Sequence, residues 1–178
     1  MPRKICDFNL LVSHPWGDYQ GAKREARDIL GRFGDEDARV ERTVARGVIG
    51  VKTCLDEREV IGQLRRLFLE EPLIFQCTLK WVPVDLWTLS DIDSMKGGVR
   101  KLRDKIQRGE RWRMTVEKRR YTKHHKIEII RELAELVDEK VDLTNPDKIL
   151  RVEIIGKYTA LSVLKPQNIF SVAKPLFS

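Results

Sequence analysis

Residues 111–147 read RWRMTVEKRRYTKHHKIEIIRELAELVDEKVDLTNPD, and this stretch decides the fold of the second half of the chain. Its first residues alternate, with Trp112, Met114 and Val116 on one side, which predicts a strand. A helical pattern follows, whose apolar residues span about 180°, wide enough to lie flat on a sheet. These apolar residues are Ile127, Ile129, Ile130, Leu133, Ala134, Leu136 and Val137. The stretch therefore predicts a strand followed by a helix that packs on the same sheet.

The junction between the predicted strand and helix is crowded with positive charge. Its basic residues are Lys118, Arg119, Arg120, Lys123, His124 and His125, with Lys126 directly behind them. The predicted helix thus has cations at its start, and it has carboxylates, such as Glu135 and Glu139, at its end. This order opposes the helix dipole and costs about 0.3–1 kcal/mol for each exposed charge. A phosphate bound at the helix start would explain it; the alternative is a solvated basic loop.

The net charge of +7 is unevenly distributed along the chain. Residues 96–126 contain 13 Lys and Arg against 3 Asp and Glu, a local net charge of +10, so the rest of the chain is slightly acidic. This concentration indicates a polyanionic partner such as a nucleic acid. No predicted helix combines a Lys-rich face with exposed aromatic residues, so we expect no membrane partner.

The length and the apolar content set the broad class of protein. A chain of 178 residues suits one ordinary domain or two small ones. No apolar run approaches the ~18–20 residues of a membrane span, and the first residues resemble a strand more than a signal peptide. The three cysteines, Cys6, Cys54 and Cys77, lie far apart in apolar runs, so we expect buried thiols in a reducing compartment. The cytoplasm is the expected location.

The order of the predicted elements divides the chain into two domains in an α+β fold. Residues 1–82 predict the order β-α-β-β-α-β, which is the ferredoxin-like arrangement. Residues 83–90 read as an extended connection. Residues 83–178 form the second domain, which has a leading helix, the strand and helix quoted above, and a hairpin over 148–164. Gly97-Gly98 weakens the leading helix, which is then either two short helices or one kinked helix. The tail that follows has two prolines and apolar residues that suggest that it packs back on the body.

The motifs of the second half resemble the THUMP domain, the RNA-binding module of several tRNA-modifying enzymes. The residues that carry the resemblance are Trp112, Val116, Lys118, Arg119, Arg120, Ile127, Ile129, Ile130, Leu133, Ala134 and the run VDLTNPD at 141–147. The last run is the most specific, because few unrelated domains place a buried strand end, a cap and a proline in that order. The resemblance covers residues 75–165, and THUMP proteins typically carry a ferredoxin-like unit ahead of the domain.

The resemblance implies a function. A THUMP domain recognises the acceptor stem and the 3′ end of tRNA, and the N-terminal unit sets the distance to the modification site. Family members usually append a methyltransferase, thiouridine synthase or deaminase domain, and we expect none in this chain of 178 residues. A THUMP protein without such a domain resembles the tRNA acetylation adaptors, which hand tRNA to an RNA acetyltransferase that makes N4-acetylcytidine. The basic motif from Lys118 to His124 looks like that of the adaptor family.

The sequence therefore predicts a non-catalytic RNA-binding surface in two parts. Phosphates would be neutralised at the helix start by Lys118, Arg119, Arg120, Lys123 and Lys126, with His124 and His125 donating hydrogen bonds. A basic track along an RNA stem would be formed by Arg100, Arg103, Lys105, Arg111 and Arg113. The alternatives are a detached subunit of a methyltransferase or thiolation enzyme, and an interaction module for an acidic protein.

We found no pattern that predicts catalysis. Glycine-rich dinucleotide and phosphate-loop motifs are absent from the sequence. His124 and His125 are adjacent, so on a helix they point about 100° apart and do not easily ligate one metal. We therefore expect no catalytic residues, no metal, no cofactor and no small-molecule substrate.

Overall fold

The computed structural model describes residues 7–174. Cys6 and the beginning of the predicted first strand lie outside this range, as do residues 175–178 of the tail. The described residues up to Pro83 form one compact unit together with those from Gln167 onward, and Val84–Pro166 form a second. In the part of the chain that is described, no helix is both long enough and apolar enough to cross a bilayer.

The elements follow one another as strands and helices of moderate length. In chain order they are β1 (Leu10–Ser13), α1 (Tyr19–Arg32), β2 (Arg39–Arg42), β3 (Val48–Lys52), α2 (Glu57–Glu70), β4 (Lys80–Pro83), β5 (Leu86–Leu89), α3 (Ile92–Leu102), β6 (Trp112–Arg119), α4 (Lys126–Ala134), β7 (Lys148–Ile155), β8 (Tyr158–Leu164) and β9 (Phe170–Ser171).

The first unit has a sheet in the order β2-β3-β1-β4-β9, with every neighbouring pair antiparallel. Its first four strands and two helices follow the β-α-β-β-α-β order predicted from the sequence, and the ferredoxin-like prediction is confirmed. α1 buries Ala22, Ala26 and Ile29 in the core of this unit. Asp56 caps α2 by accepting hydrogen bonds from two backbone N–H groups of its first turn.

The described part of the tail from Gln167 onward lies in the first unit, whereas the sequence assigned it to the second domain. β9 pairs with β4, with Phe170 opposite Trp81. Phe170 is fully buried, and its ring lies 5.3 Å from that of Phe75 and 6.0 Å from that of Phe68. Burial of this aromatic side chain gives the tail a physical reason to return to the first sheet.

The second unit has a mixed sheet in the order β5-β8-β7-β6. β6 and β7 are parallel, with α4 as the crossover between them, and the other pairs are antiparallel. The segment that was predicted to be an extended connection contains β5, which forms one edge of this sheet by pairing with β8. The predicted mixed helix and strand fold of the second domain is confirmed, including the hairpin of β7 and β8.

Helices α3 and α4 cover one face of the second sheet. Trp112 and Val116 of β6 are buried in the core on this face, as the alternation of β6 predicts. α3 is continuous through Gly97-Gly98, so of the two predicted alternatives the structure does not have two short helices. A Cβ atom added to Gly98 would lie 2.4 Å from a methyl carbon of Leu161, so this glycine allows the helix to approach the sheet closely.

The two described cysteines differ from the prediction that they are buried. Cys54 is exposed because it lies beyond the end of β3, in the turn that leads into α2. Cys77 is half-buried. Burial raises the pKa of the Cys77 thiol to about 11, and a hydrogen bond with Asp18 adds to this shift.

Candidate RNA-binding surface

The basic residues from Lys118 to Lys126 lie at the C-terminal end of β6 and in the loop that joins it to α4. Arg120 turns the chain out of the strand with a φ of 58°, which a non-glycine residue rarely adopts. We refer to this group as the β6-end cluster: Lys118, Arg119, Arg120, Lys123, His124, His125 and Lys126.

The boundaries of α4 change the charge argument made from the sequence. His125 is the N-cap of the helix, so Lys123 and His124 precede the helix, and the carboxylates predicted for its last turn lie beyond Ala134. Within the helix, Lys126 and Glu128 are both in the first turn, and Arg131 and Glu132 are both in the last, so the helix dipole meets charges of both signs at each end. The predicted reversal of charge is therefore present only in part: basic residues lead into the helix and Glu135 is its C-cap, whereas Glu139 lies beyond the helix.

Short contacts hold the β6-end cluster in place. Lys118 Nζ donates a hydrogen bond of 2.7 Å to the carbonyl oxygen of His124, and Nδ1 of His124 lies 3.1 Å from a carboxylate oxygen of Glu128. Lys126 Nζ lies 3.7 Å from the carboxylate of Glu117. The loop is thus ordered by its own polar groups, which use part of its positive charge.

Tyr121 anchors the same loop on the core of the second unit. Its ring packs against that core, and burial raises the pKa of its hydroxyl, with further contributions from Asp91 and Glu128. Asp91 is the N-cap of α3, and hydrogen bonds from Ser94 lower its pKa, with a smaller effect from the charge of Lys123. The β6-end cluster therefore lies beside the start of α3.

Arg119 is the most strongly paired residue of the cluster. Its guanidinium donates a hydrogen bond of 2.7 Å to Oε2 of Glu153, and Arg151 binds Oε1 of the same carboxylate at 2.7 Å. The side chains of Arg151 and Glu153 are almost fully buried, whereas that of Arg119 is 31% exposed. Two guanidinium groups on one carboxylate retain a net positive charge, but Arg119 has a structural role in addition to the predicted one.

The second predicted group begins at the opposite end of β6. Arg111 Nη1 lies 3.1 Å from the carboxylate of Asp142, and Arg113 donates to the carbonyl oxygen of Leu143 at 3.2 Å. Asp142 also accepts hydrogen bonds from the backbone N–H groups of Thr144 and Asn145. The VDLTNPD run is therefore a turn that closes around Arg111. The strand end in this run was expected to be buried, but Val141 is 51% exposed and forms only an isolated bridge.

The remaining members of this group lie near the end of α3. Arg103 donates to the carbonyl oxygen of Leu136 at 3.2 Å, and Lys105 Nζ lies 3.3 Å from the carboxylate of Asp85. Arg100 is exposed on α3 itself. Since β6 rises roughly 3.3 Å per residue, Arg111 and Arg119 are separated by about 25 Å. The predicted basic surface is thus divided between two ends of the second sheet.

Some cations remain available to an outside partner. Between residues 96 and 126, five basic side chains are exposed and make no hydrogen bond or ion pair within the described part of the chain: Arg100, Lys101, Arg108, Lys123 and His125. Lys101 and Arg108 were not among the predicted site residues. In the sequence, their position within the basic segment is the one signal that points to them. Their exposure could not be predicted, because it depends on how α3 packs on the sheet.

The positions of the acidic and thiol side chains bear on whether the described part of the chain could hold a metal ion. Within residues 7–174, no group of three or more His, Cys, Asp and Glu side chains is placed to hold a metal ion. Apart from Tyr121, whose pKa is raised by burial, the titratable groups with shifted pKa values in the second unit lie in caps, turns and surface ion pairs. The geometry of this unit is that of a charged surface.

A family comparison identifies the second unit. Residues 90–164 match the family model of the THUMP domain. The chain contains a THUMP domain. The matched residues lie within the compact unit Val84–Pro166, so the domain coincides with the second sheet and its two helices. A search of curated proteins gives no match.

Solved structures share the fold over most of the chain. PH1313 from Pyrococcus horikoshii Ot3 aligns with 89% of this chain and 54% of its own, at 18% identity and a TM-score of 0.64. TrmN from Thermus thermophilus aligns with 89% of this chain and 46% of its own, at 16% identity and a TM-score of 0.57. A 4-thiouridine synthetase in a complex with RNA and bound ATP aligns over 89% and 41%, at 16% identity and a TM-score of 0.55.

These identities establish a common fold and no more. The chain spans about half the length of the first of these solved chains and less of the other two.

Proposed function

We propose that the protein is a non-catalytic adaptor that binds tRNA in the cytoplasm. It presents the acceptor stem and 3′ end to an RNA acetyltransferase that forms N4-acetylcytidine. The observation that carries the proposal is a THUMP domain whose surface keeps exposed cations that make no hydrogen bond or ion pair with a described residue, among them Arg100, Lys101 and Lys123. Structured RNA is recognised mainly through its shape and its backbone, so such a surface is sufficient for binding.

The two ends of the THUMP domain contribute differently to the proposed binding. At the β6-end cluster, Lys123 and His125 contact phosphates directly, while Lys118 and Arg119 keep the loop in place through their own contacts. At the other end, Arg100 and Arg108 contact a second segment of the RNA backbone. Because each contact releases counterions from the RNA, affinity falls steeply as the salt concentration rises.

A second candidate function keeps the RNA and changes the partner. The protein would then be the RNA-binding subunit of a methyltransferase or a thiouridine synthase. This alternative is favoured by the fold that the chain shares with TrmN and with the 4-thiouridine synthetase, the latter solved with RNA.

Nucleoside analysis of tRNA from a strain that lacks the gene separates these functions. Loss of N4-acetylcytidine alone, restored by the wild-type gene, supports the acetylation adaptor. Loss of a thiolated or a methylated nucleoside instead supports the second candidate. An unchanged set of nucleosides, together with no tRNA binding by the purified protein, contradicts both.

A further inference from the structure

Two loops of the ferredoxin-like unit enclose a cavity that the basic surface of the THUMP domain does not include. One loop follows β1 and carries Trp16; the other joins β2 to β3 and carries Arg46. The cavity has a volume of about 290 Å³, at the lower end of the range for small-molecule sites. Two arginines and no carboxylate line it.

Trp16 is exposed and lies beside the loop between β2 and β3. The residue is 76% exposed, although large aromatic residues usually bury most of their surface. A Cβ atom added to Gly47 would lie 2.9 Å from Cδ1 of Trp16 and 2.9 Å from the carbonyl oxygen of His14. The backbone N–H of His14 donates to the carbonyl oxygen of Gly47 at 2.9 Å, which ties the two loops together. The indole therefore rests on a turn in which only glycine fits.

Guanidinium groups accompany the aromatic rings of this site. The guanidinium carbon of Arg46 lies 6.0 Å from the centre of the Trp16 ring, and that of Arg42 lies 4.1 Å from the centre of the Tyr19 ring. Neither arginine forms an ion pair with a described residue. Both are exposed, so each has N–H donors available to an anion.

The chemistry of the ligand follows from these groups. An exposed indole offers a flat surface to another planar ring, and two uncompensated arginines favour an anion and repel a cation. A nucleotide combines a planar base with a phosphate, and aromatic side chains with arginines are the groups that bind unpaired bases. A methylated amine, which also binds aromatic residues, is disfavoured by the positive charge.

We propose that Trp16 is a stacking platform for one unpaired nucleotide, whose phosphate is bound by Arg42 and Arg46. This inference deepens the proposed tRNA-binding function and rests on it for the source of the nucleotide, which is a single-stranded segment of RNA. It gives the ferredoxin-like unit a binding role, whereas the near-neutral charge of residues 1–83 indicates only a scaffold.

The test compares the binding of a short single-stranded oligoadenylate, a blunt-ended RNA hairpin and AMP to the full chain. We expect Trp16→Ala to weaken oligoadenylate binding roughly 5- to 150-fold, which is the range for the loss of one stacked base. Trp16→Phe should restore most of the affinity, because it keeps a ring. Arg46→Ala should weaken binding, whereas Arg66→Ala, an exposed arginine of α2 outside the cavity, should not. Hairpin binding should be unchanged in the Trp16 variants.

The outcomes separate this site from the proposed function. Oligoadenylate binding that is equal in wild type and Trp16→Ala, while tRNA still binds, overturns the stacking site and leaves the tRNA proposal standing. The opposite result is that wild type binds oligoadenylate but no tRNA, and that Trp16→Ala loses the oligoadenylate binding. This result supports the stacking site and overturns the tRNA proposal. AMP is also tested as a competitor of the oligoadenylate, at an equal concentration of nucleotides. If AMP competes, the result supports a nucleotide site at Trp16 and assigns that site to free nucleotides.

Discussion

Arg119 donates a 2.7 Å hydrogen bond to Glu153, the same carboxylate that Arg151 binds from within β7. The pair links the end of β6 to β7, so a residue that the sequence marks as RNA-binding also holds the sheet that positions the basic loop. The distinction matters for experiments, because a charge reversal at Arg119 would place two carboxylates together and disturb the fold as well as the surface.

The first prediction follows from the unequal burial of Arg119, Arg151 and Glu153. Glu153→Gln should lower the free energy of unfolding by about 3–5 kcal/mol, because it leaves the buried guanidinium of Arg151 without its counterion. Arg119→Gln should lower it by no more than about 1 kcal/mol, because Arg119 is partly exposed and Glu153 keeps Arg151. Urea unfolding measures both variants. Equal losses in the two variants would contradict the assigned roles.

The second prediction concerns the exposed cations of the THUMP domain. Lys123→Gln and Arg100→Gln should each weaken tRNA binding and reduce the slope of log affinity against log salt by about 1, because each removes one phosphate contact. Lys52→Gln is a matched control, because Lys52 is an exposed lysine of the ferredoxin-like unit and not of the THUMP domain. Filter binding over a series of salt concentrations gives the slopes. A control slope that changes as much as the others would reject the site.

The third prediction uses the adjacent glycines of α3. Gly98→Ala should destabilise the domain by about 1–3 kcal/mol, since the added methyl group would overlap with Leu161 and would lie 2.8 Å from Thr88. Gly97→Ala should stabilise it by up to about 1 kcal/mol, because no atom lies within 4 Å and alanine favours the helix. The midpoints of urea unfolding should therefore shift in opposite directions. A shift of both midpoints in the same direction would show that α3 is less tightly packed than described.

The fourth prediction is a dependence on pH. Hydrogen bonds from Asn145, then Arg111 and Thr144, lower the pKa of Asp142 from its ordinary value of 3.8. Because the pKa is lower in the folded state, the ionised carboxylate stabilises the fold at pH values above 3.8. This stabilisation is lost as the pH falls through the folded-state pKa.

Asp142→Asn should therefore be less stable than wild type at neutral pH, and the difference should shrink well below pH 3.8. Urea unfolding of the variant and of wild type, at neutral pH and at a pH well below 3.8, measures this difference. Asp104→Asn is a suitable control, because Asp104 is exposed and makes no hydrogen bond or ion pair with a described residue. A difference between Asp142→Asn and wild type that stays constant with pH would contradict the role assigned to the turn around Arg111.

Patterns that are local in the sequence predicted most of the elements. The alternation of β6, the helical spacing of α4 and the turn at Gly156 depend on neighbours a few residues apart, and each appears in the structure. The edge strand β5 and the strand β9 were not predicted as they occur. Both are short and gain their stability from a distant partner strand, which no local pattern reveals.

For the candidate RNA-binding surface, too, some features follow from the sequence alone and others depend on the fold. The sequence by itself determined that positive charge is concentrated in residues 96–126 and that the VDLTNPD run belongs to a THUMP domain, because charge and motif are properties of the residue order. Only the tertiary structure decided which cations are available. Glu153 reaches Arg119 from 34 positions away, and Asp142 reaches Arg111 from 31. Ion pairs of this kind form when the fold brings distant residues within a few ångströms, so the exposure of a charged side chain is a property of the folded chain.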